Sequence, residues 1–147
     1  MSILDLSGRG ALVVGGGQGM GRATALLLAQ AGANPVVVDL EQDRADGVAA
    51  EIEALGRKSV GLSFDVTKPE GANEAIAEAE RATGQLDIVV NIVGGASWSP
   101  LLSVDDETWE RDFDVNLRHH LYVGRAAARN WVANERPGVL CVVASIS

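Results

Sequence analysis

Several classes of protein are excluded by what this chain has little of. One cysteine among 147 residues, Cys141, leaves no internal disulfide to form. Inside its apolar run it reads as a small buried hydrophobe. The two histidines, His119 and His120, are adjacent and are expected to point to different sides of a helix. With no Cys, His or carboxylate grouping at zinc spacing, no metal site is expected. Twelve Lys and Arg stand against twenty Asp and Glu, with no basic cluster, which argues against nucleic acid or an anionic membrane as partner. No apolar run approaches the roughly 18 residues that would cross a bilayer. Met1-Ser2-Ile3-Leu4-Asp5 lacks the basic region and apolar core of a signal peptide. A soluble cytoplasmic protein is expected. Repeats and low-complexity stretches are missing too, so residues 1–147 read as a single domain.

What is present is an alternation. The hydrophobic share is 47%, enough for a packed core. Five short apolar runs, 11–14, 35–38, 59–64, 86–91 and 138–144, are β-branched and lack strict polar alternation, as strands covered on both faces do. Between them, 20–31, 42–55 and 69–82 have helical length and spacing. Gly32, Gly56 and Gly84 stand where helices end, and Pro69 follows an N-cap candidate, Thr67. A longer stretch, 104–134, opens with acids at Asp105, Asp106 and Glu107. It carries an apolar stripe at Trp109, Phe113, Leu117, Leu121, Val123, Ala127 and Trp131. The order βαβαβ predicts an α/β fold, a Rossmann-type doubly wound parallel sheet in three α/β/α layers, with five strands present.

The most informative segment is Gly15-Gly16-Gly17-Gln18-Gly19-Met20-Gly21. It follows the first strand and opens the first helix, and Asp39 closes the second strand. That order is a dinucleotide-binding fingerprint. Glycines let backbone N–H groups approach a pyrophosphate, and the helix start adds unpaired donors and a positive dipole end. The turn residues Gly15, Gly17, Gln18, Gly19, Met20 and Gly21 are therefore candidate cofactor contacts, with Asp39 and Leu40 beside the adenosine ribose. A carboxylate there accepts from a 2′-hydroxyl and repels a 2′-phosphate, and neither Gln18 nor Leu40 is a cation. NAD is expected in preference to NADP. Arg44, in the next helix, reads as a solvated surface charge.

Further segments agree. Gly15, Gly19 and Gly21 fit the Thr-Gly-x-x-x-Gly-x-Gly motif of the short-chain dehydrogenase/reductase family, with Val14 in place of the threonine. Asn91-Ile92-Val93-Gly94 resembles its Asn-Asn-Ala-Gly, and Val115-Asn116-Leu117 its Val-Asn-Leu segment. The likeness runs from about Leu6 to the last residue. It implies that Asp65 and Val66 flank the adenine ring, although an Asp there also supports a turn by itself. It places Gly94 at the edge where the cofactor approaches the backbone. Asn91 is implied either as a ligand or as a tie between neighbouring strands. Asn116 is implied to interrupt its helix and hold a water in a proton relay, and Ser145 to bond the substrate oxygen. Trp98 falls in the loop near the substrate end. A small carbonyl or alcohol is the implied substrate, and a homo-oligomer, dimer or tetramer, the implied assembly.

The family's Tyr-x-x-x-Lys pair has no counterpart here. Tyr122 is followed four residues later by Ala126, and the only lysines are Lys58 and Lys68. The sequence is therefore expected to be the amino-terminal part of a longer domain, catalytically incomplete and with an uncovered edge at its fifth strand. Three readings stay open: an NAD-dependent short-chain oxidoreductase, an inactive NAD-binding module acting through a partner, and a methyltransferase-type Rossmann domain. The glycine spacing, Asn116 and Ser145 argue against the last.

Overall fold

The computed structural model describes residues 5–144. Its elements run β1 (Gly10–Val14), α1 (Gly19–Gln30), β2 (Asn34–Asp39), α2 (Gln42–Ala54), β3 (Gly61–Ser63), α3 (Pro69–Thr83), β4 (Leu86–Asn91), α4 (Asp106–Phe113), α5 (His119–Ala133) and β5 (Val139–Val142), with a π-helical segment, Asp114–Arg118, between α4 and α5. The five strands form one parallel sheet in the order β3-β2-β1-β4-β5. The chain winds outward from β1 to one edge, then crosses β1 and winds to the other. The reversal lies between β1 and β4, where Val14 is level with Asn91.

Alternation along each strand sorts side chains into two apolar layers. Val13 and Val37 meet Ala25, Ala29, Ala45, Val48 and Ile52 from α1 and α2. Leu12, Val14, Val36, Val38 and Val89 meet Ala72, Ala75, Ile76 and Ala79 from α3 and Val123, Ala126 and Ala127 from α5. Small alanines on the helices let them lie close to a sheet of branched residues. Among the described residues no helix is long and apolar enough to cross a membrane.

The helix ends follow from local chemistry. Gly84 closes α3 in the left-handed region at φ 72°, its N–H donating to Glu80 O, and Gly32 and Gly56 also have positive φ just past α1 and α2. The Asp105 carboxylate accepts from Thr108 N at 2.7 Å and caps α4. Thr67 is not the cap of α3; Lys68 holds that position without a side-chain bond. Thr67 instead gives both its N–H and its hydroxyl to Asp65 Oδ1, at 3.0 and 2.6 Å. Asp65 therefore builds the turn between β3 and α3.

Two expectations change in the second half. The apolar stripe predicted through 104–134 does not run straight, because the π segment inserts an extra residue into the helical turn. Trp109, Leu117 and Leu121 are more than half exposed, and the buried line of α5 is His119, Val123, Ala126 and Ala127. Cys141 is exposed rather than buried: among the described residues no helix covers β5 enough to bury any of its four residues. Trp131 closes the other end of α5, donating its indole N–H to Leu86 O at 2.8 Å.

Candidate cofactor site

The carboxyl ends of β1, β2, β3 and β4 surround a cavity of about 440 Å³. Its wall includes Val14, Gly15, Gln18, Met20 and Gly21 from the first turn, Asp39 and Leu40 from β2 and its loop, Phe64, Asp65 and Val66 after β3, and residues 92–94 after β4. Open parallel sheets bind ligands outside the strand ends where strand order reverses, which is this place.

The turn is held by backbone. Gly15 and Gly16 N–H both donate to Val38 O, at 2.8 and 3.0 Å, tying β1 to β2. Ile92 N–H donates to Val14 O at 2.9 Å, tying the same turn to β4. By family resemblance a threonine hydroxyl would reach across here; with Val14 in its place the link is carried by main chain. Gly21 lies directly on the turn, and a Cβ there would fall 1.9 Å from Gly15 O. The Gln18 side chain does not cap α1, so the first-turn N–H groups are left for an anion.

Asp39 faces this turn. Its Oδ2 accepts from Gly17 N at 3.0 Å and its Oδ1 from Glu41 N at 3.2 Å. Both oxygens keep further acceptor capacity for a ribose. Gly17 thus orients Asp39 rather than lining the cavity, and Gly19, at φ 53°, shapes the entry to α1. Arg44 is exposed, as expected, yet it also lines the cavity beside Asp39, which sequence spacing alone did not disclose. Met20 and Leu40 leave about two thirds of their surface exposed at the rim, 66% and 65%. Exposed apolar side chains at the rim of such a cavity suit a flat aromatic group.

Beyond Gly94 the chain meets the π segment. Asn116 Oδ1 accepts from Gly95 N at 3.0 Å, and its Nδ2 donates to Gly95 O and to Asp112 O. The expected helix interruption is present at this residue, and its amide clamps the loop after β4. Asp112 holds the next stretch, accepting from Ser97 N at 3.2 Å and Ser97 Oγ at 2.8 Å, while Arg111 donates to the same hydroxyl. Trp98 follows, 97% exposed. Ser145 lies outside the described residues, as does Ser147.

Asn91 is not on the cavity wall. It is fully buried, and its Nδ2 lies 3.0 Å from His119 Nδ1 and 3.2 Å from His120 Nδ1. The two rings, expected to diverge, stand 4.0 Å apart between centroids. His119 could have been placed in the core from its spacing to Val123 and Ala126. Burial first, and then the neighbouring His120, push the His119 ring from its ordinary 6.5 down to about 4, against the opposing effect of the Val115 carbonyl. Burial also lowers His120. The unfolded chain therefore takes up protons below about pH 6.5 that the folded protein refuses. The stability these rings contribute is complete above that value and is lost as pH falls toward 4. Urea unfolding midpoints should rise between about pH 4 and 7, and His119→Leu should flatten the rise. An unchanged pH profile in the variant contradicts the assignment.

Comparison with known proteins agrees with this geometry. Residues 9–147 match the family model for short chain dehydrogenase. L-rhamnose 1-dehydrogenase (NAD(P)(+)) of Sphingomonas sp. (strain SKA58) is 34% identical over 143 residues, 97% of this chain and 56% of that protein. A crystal structure of a short-chain type dehydrogenase/reductase from Mycobacterium marinum superposes with a TM-score of 0.94 at 32% identity, covering 99% of this chain and 60% of that one. A 7α-hydroxysteroid dehydrogenase complexed with NADH and 7-oxo glycochenodeoxycholic acid gives 0.91 at 29% identity, covering 97% and 55%. The chain thus spans about half the length of the curated relatives it matches. Fold, glycine turn and sequence kinship lead to one assignment: this chain belongs to the short-chain dehydrogenase family.

Proposed function

We propose that this chain is the cofactor-binding part of an NAD-dependent oxidoreductase that moves hydride between nicotinamide and a carbonyl or secondary alcohol. The observation that carries the reading is one cavity walled together by the Gly15 and Gly21 turn, Asp39 and Gly94. Gln18, Gly19, Met20 and Gly21 would hold the pyrophosphate through main-chain donors, with Gly15 forming the close backbone wall beneath it. Asp39 and Leu40 would hold the adenosine ribose, and Asp65 and Val66 the adenine. Exposed Gly94 admits the cofactor close to the backbone. Bound nicotinamide supplies the hydride chemistry, and the protein aligns the substrate and handles the proton.

In this reading Asn116 fixes the loop beside the reacting end, and Ser145 bonds the substrate oxygen. The proton donor, a Tyr-x-x-x-Lys pair in the family pattern, is not among these 147 residues, so turnover depends on residues outside them. NAD is favoured over NADP by the Asp39 carboxylate, with Arg44 on the same wall as the counterweight. A homo-oligomer in the cytoplasm acting on a small molecule completes the proposal.

Fluorescence titration tests it directly. NADH should bind saturably and be displaced by NAD, with NADPH weaker. No saturation by either dinucleotide up to about 1 mM overturns the reading.

A further inference from the structure

We propose that His119 and His120 are positioning residues that hold the carboxyl end of β4 in place for the cofactor, by accepting the two N–H bonds of the Asn91 amide. The inference rests on the cofactor reading above, because the segment it steadies, residues 92–94, is a wall of that cavity.

An Asn side chain offers two N–H donors on one nitrogen, and here two ring nitrogens face that nitrogen at 3.0 and 3.2 Å. For both contacts to be hydrogen bonds, both Nδ1 atoms must be bare, so each neutral ring carries its proton on Nε2. One buried group then meets the Nδ1 atoms of two imidazoles from a helix 28 residues further along the chain. Asn91 is the last residue of β4. Its own backbone is paired on both sides, level with Val14 on β1 and Val142 on β5. Gripping its side chain from α5 completes the fixation of the point from which residues 92–94 leave the sheet.

The surroundings do not supply a competing charge. The buried residues of α3, Ala72, Ala75, Ile76 and Ala79, share an apolar cluster with Val89 of β4 and with Val123, Ala126 and Ala127 of α5. On β5 the one titratable side chain is Cys141. In the π segment Asp114 is engaged by Arg118 at 2.7 Å. Protonating either histidine would turn an acceptor into a donor pointed at a donor. The grip is therefore a property of the neutral pair, consistent with the depressed ring basicities. Asn91 Oδ1 and His119 Nε2 are buried without hydrogen-bond partners among the described residues, and the Val115 carbonyl is a second acceptor beside the His119 ring, so the grip turns on which ring nitrogen carries the proton.

The test uses the full natural chain labelled with ¹⁵N. Long-range ¹H–¹⁵N spectra at about pH 7.5 should find both rings protonated at Nε2 and bare at Nδ1. A proton on either Nδ1 overturns the proposal, since the amide would then be turned the other way. In parallel, NADH is titrated into His119→Leu and His119→Asn. Leu removes the acceptor and should weaken NADH about tenfold, near 1.4 kcal/mol. Asn returns an oxygen to the Nδ1 position and should restore affinity to within about twofold. Amide exchange at residues 92–94 should quicken in the Leu variant and not in the Asn variant. Equal NADH affinity and equal exchange in the Leu variant overturn the proposal. If the unmodified protein binds no NADH, the cofactor reading fails by itself, and the tautomer and exchange results still decide whether the histidines hold β4.

Discussion

Gly21→Ala is expected to remove measurable NADH binding, a loss of at least about 100-fold, and to lower the unfolding free energy by about 1–3 kcal/mol. The cause is one atom. A methyl carbon on residue 21 would stand 1.9 Å from Gly15 O, 2.7 Å from Gly15 C and 2.9 Å from Gly16 Cα. All three are backbone, so no side-chain rotation relieves the clash. Either α1 slides away from the sheet or the turn opens, and each move carries the phosphate-binding N–H groups out of register. The stability cost comes from loosening Ala25 and Ala29, which pack behind the turn against Val13 and Val37. A matched control is available in Gly47→Ala on the exposed face of α2, where a Cβ meets nothing within 4 Å. That change should stabilise by about 0.4–1 kcal/mol through helix propensity alone, leaving NADH binding untouched. Calorimetry and NADH titration on the two variants separate a general glycine effect from the specific cradle. Normal binding by Gly21→Ala would show that the pyrophosphate lies elsewhere.

Asp39→Ala is expected to weaken NADH by about 10- to 100-fold and to narrow or invert the preference over NADPH. Two effects act together. The ribose loses a charged acceptor, and Gly17 N and Glu41 N lose the carboxylate that they now bind at 3.0 and 3.2 Å. Meanwhile a 2′-phosphate no longer meets the Asp39 charge, and Arg44 on the same wall is a cation that could pair with it. Asp39→Asn distinguishes the contributions, because it keeps an acceptor while removing the charge. It should retain much of the NADH affinity and still relax the discrimination. A ratio of NADH to NADPH affinity that stays constant across all three proteins would sink the assignment of Asp39 as the selector.

The sheet and its first half were legible because local signals agreed with the global fold. Strand runs, glycine punctuation and the turn between Val14 and Met20 all pointed to the same crossover pattern, and the strand order follows once the crossovers are right-handed. The cavity wall was legible for a related reason: residues that face it sit at strand ends, which are marked in sequence by glycine and by acids. The second half was harder to read. The stripe from Trp109 to Trp131 assumed one helical phase, and a single π turn at Asp114–Arg118 breaks that phase. The Val-Asn-Leu resemblance implied an interruption at Asn116, but not its extent or the helical phase beyond it. The histidine pair was misjudged because adjacency in sequence was taken as divergence in space. The shared partner, Asn91, lay on a different element and could not be seen without the fold. Cys141 was read as buried from its apolar run alone, although the uncovered edge expected at the fifth strand already pointed the other way. Arg44 was read as solvent-facing, and so it is, but the solvent it faces is the cavity.

The strand order also governs how the chain comes into being. β1 is the first strand to be made and the middle one of the five described. One of its edges is taken by β2 soon after, but the other waits for β4. The bond that pins that second edge, from Gly10 N to the Asp87 carboxylate, joins residues 77 apart. At ribosomal rates of about 5–20 residues per second, that edge stays open for roughly 4–15 s. During that interval Leu12, Val13 and Val14 lie on a half-built sheet with a bare margin, the condition in which strands pair with the wrong partner. A nascent chain halted between β2 and β4 should be the form most avidly held by a chaperone. The strand with the least contact with water in the native protein is the one that spends longest without its neighbour on the way there.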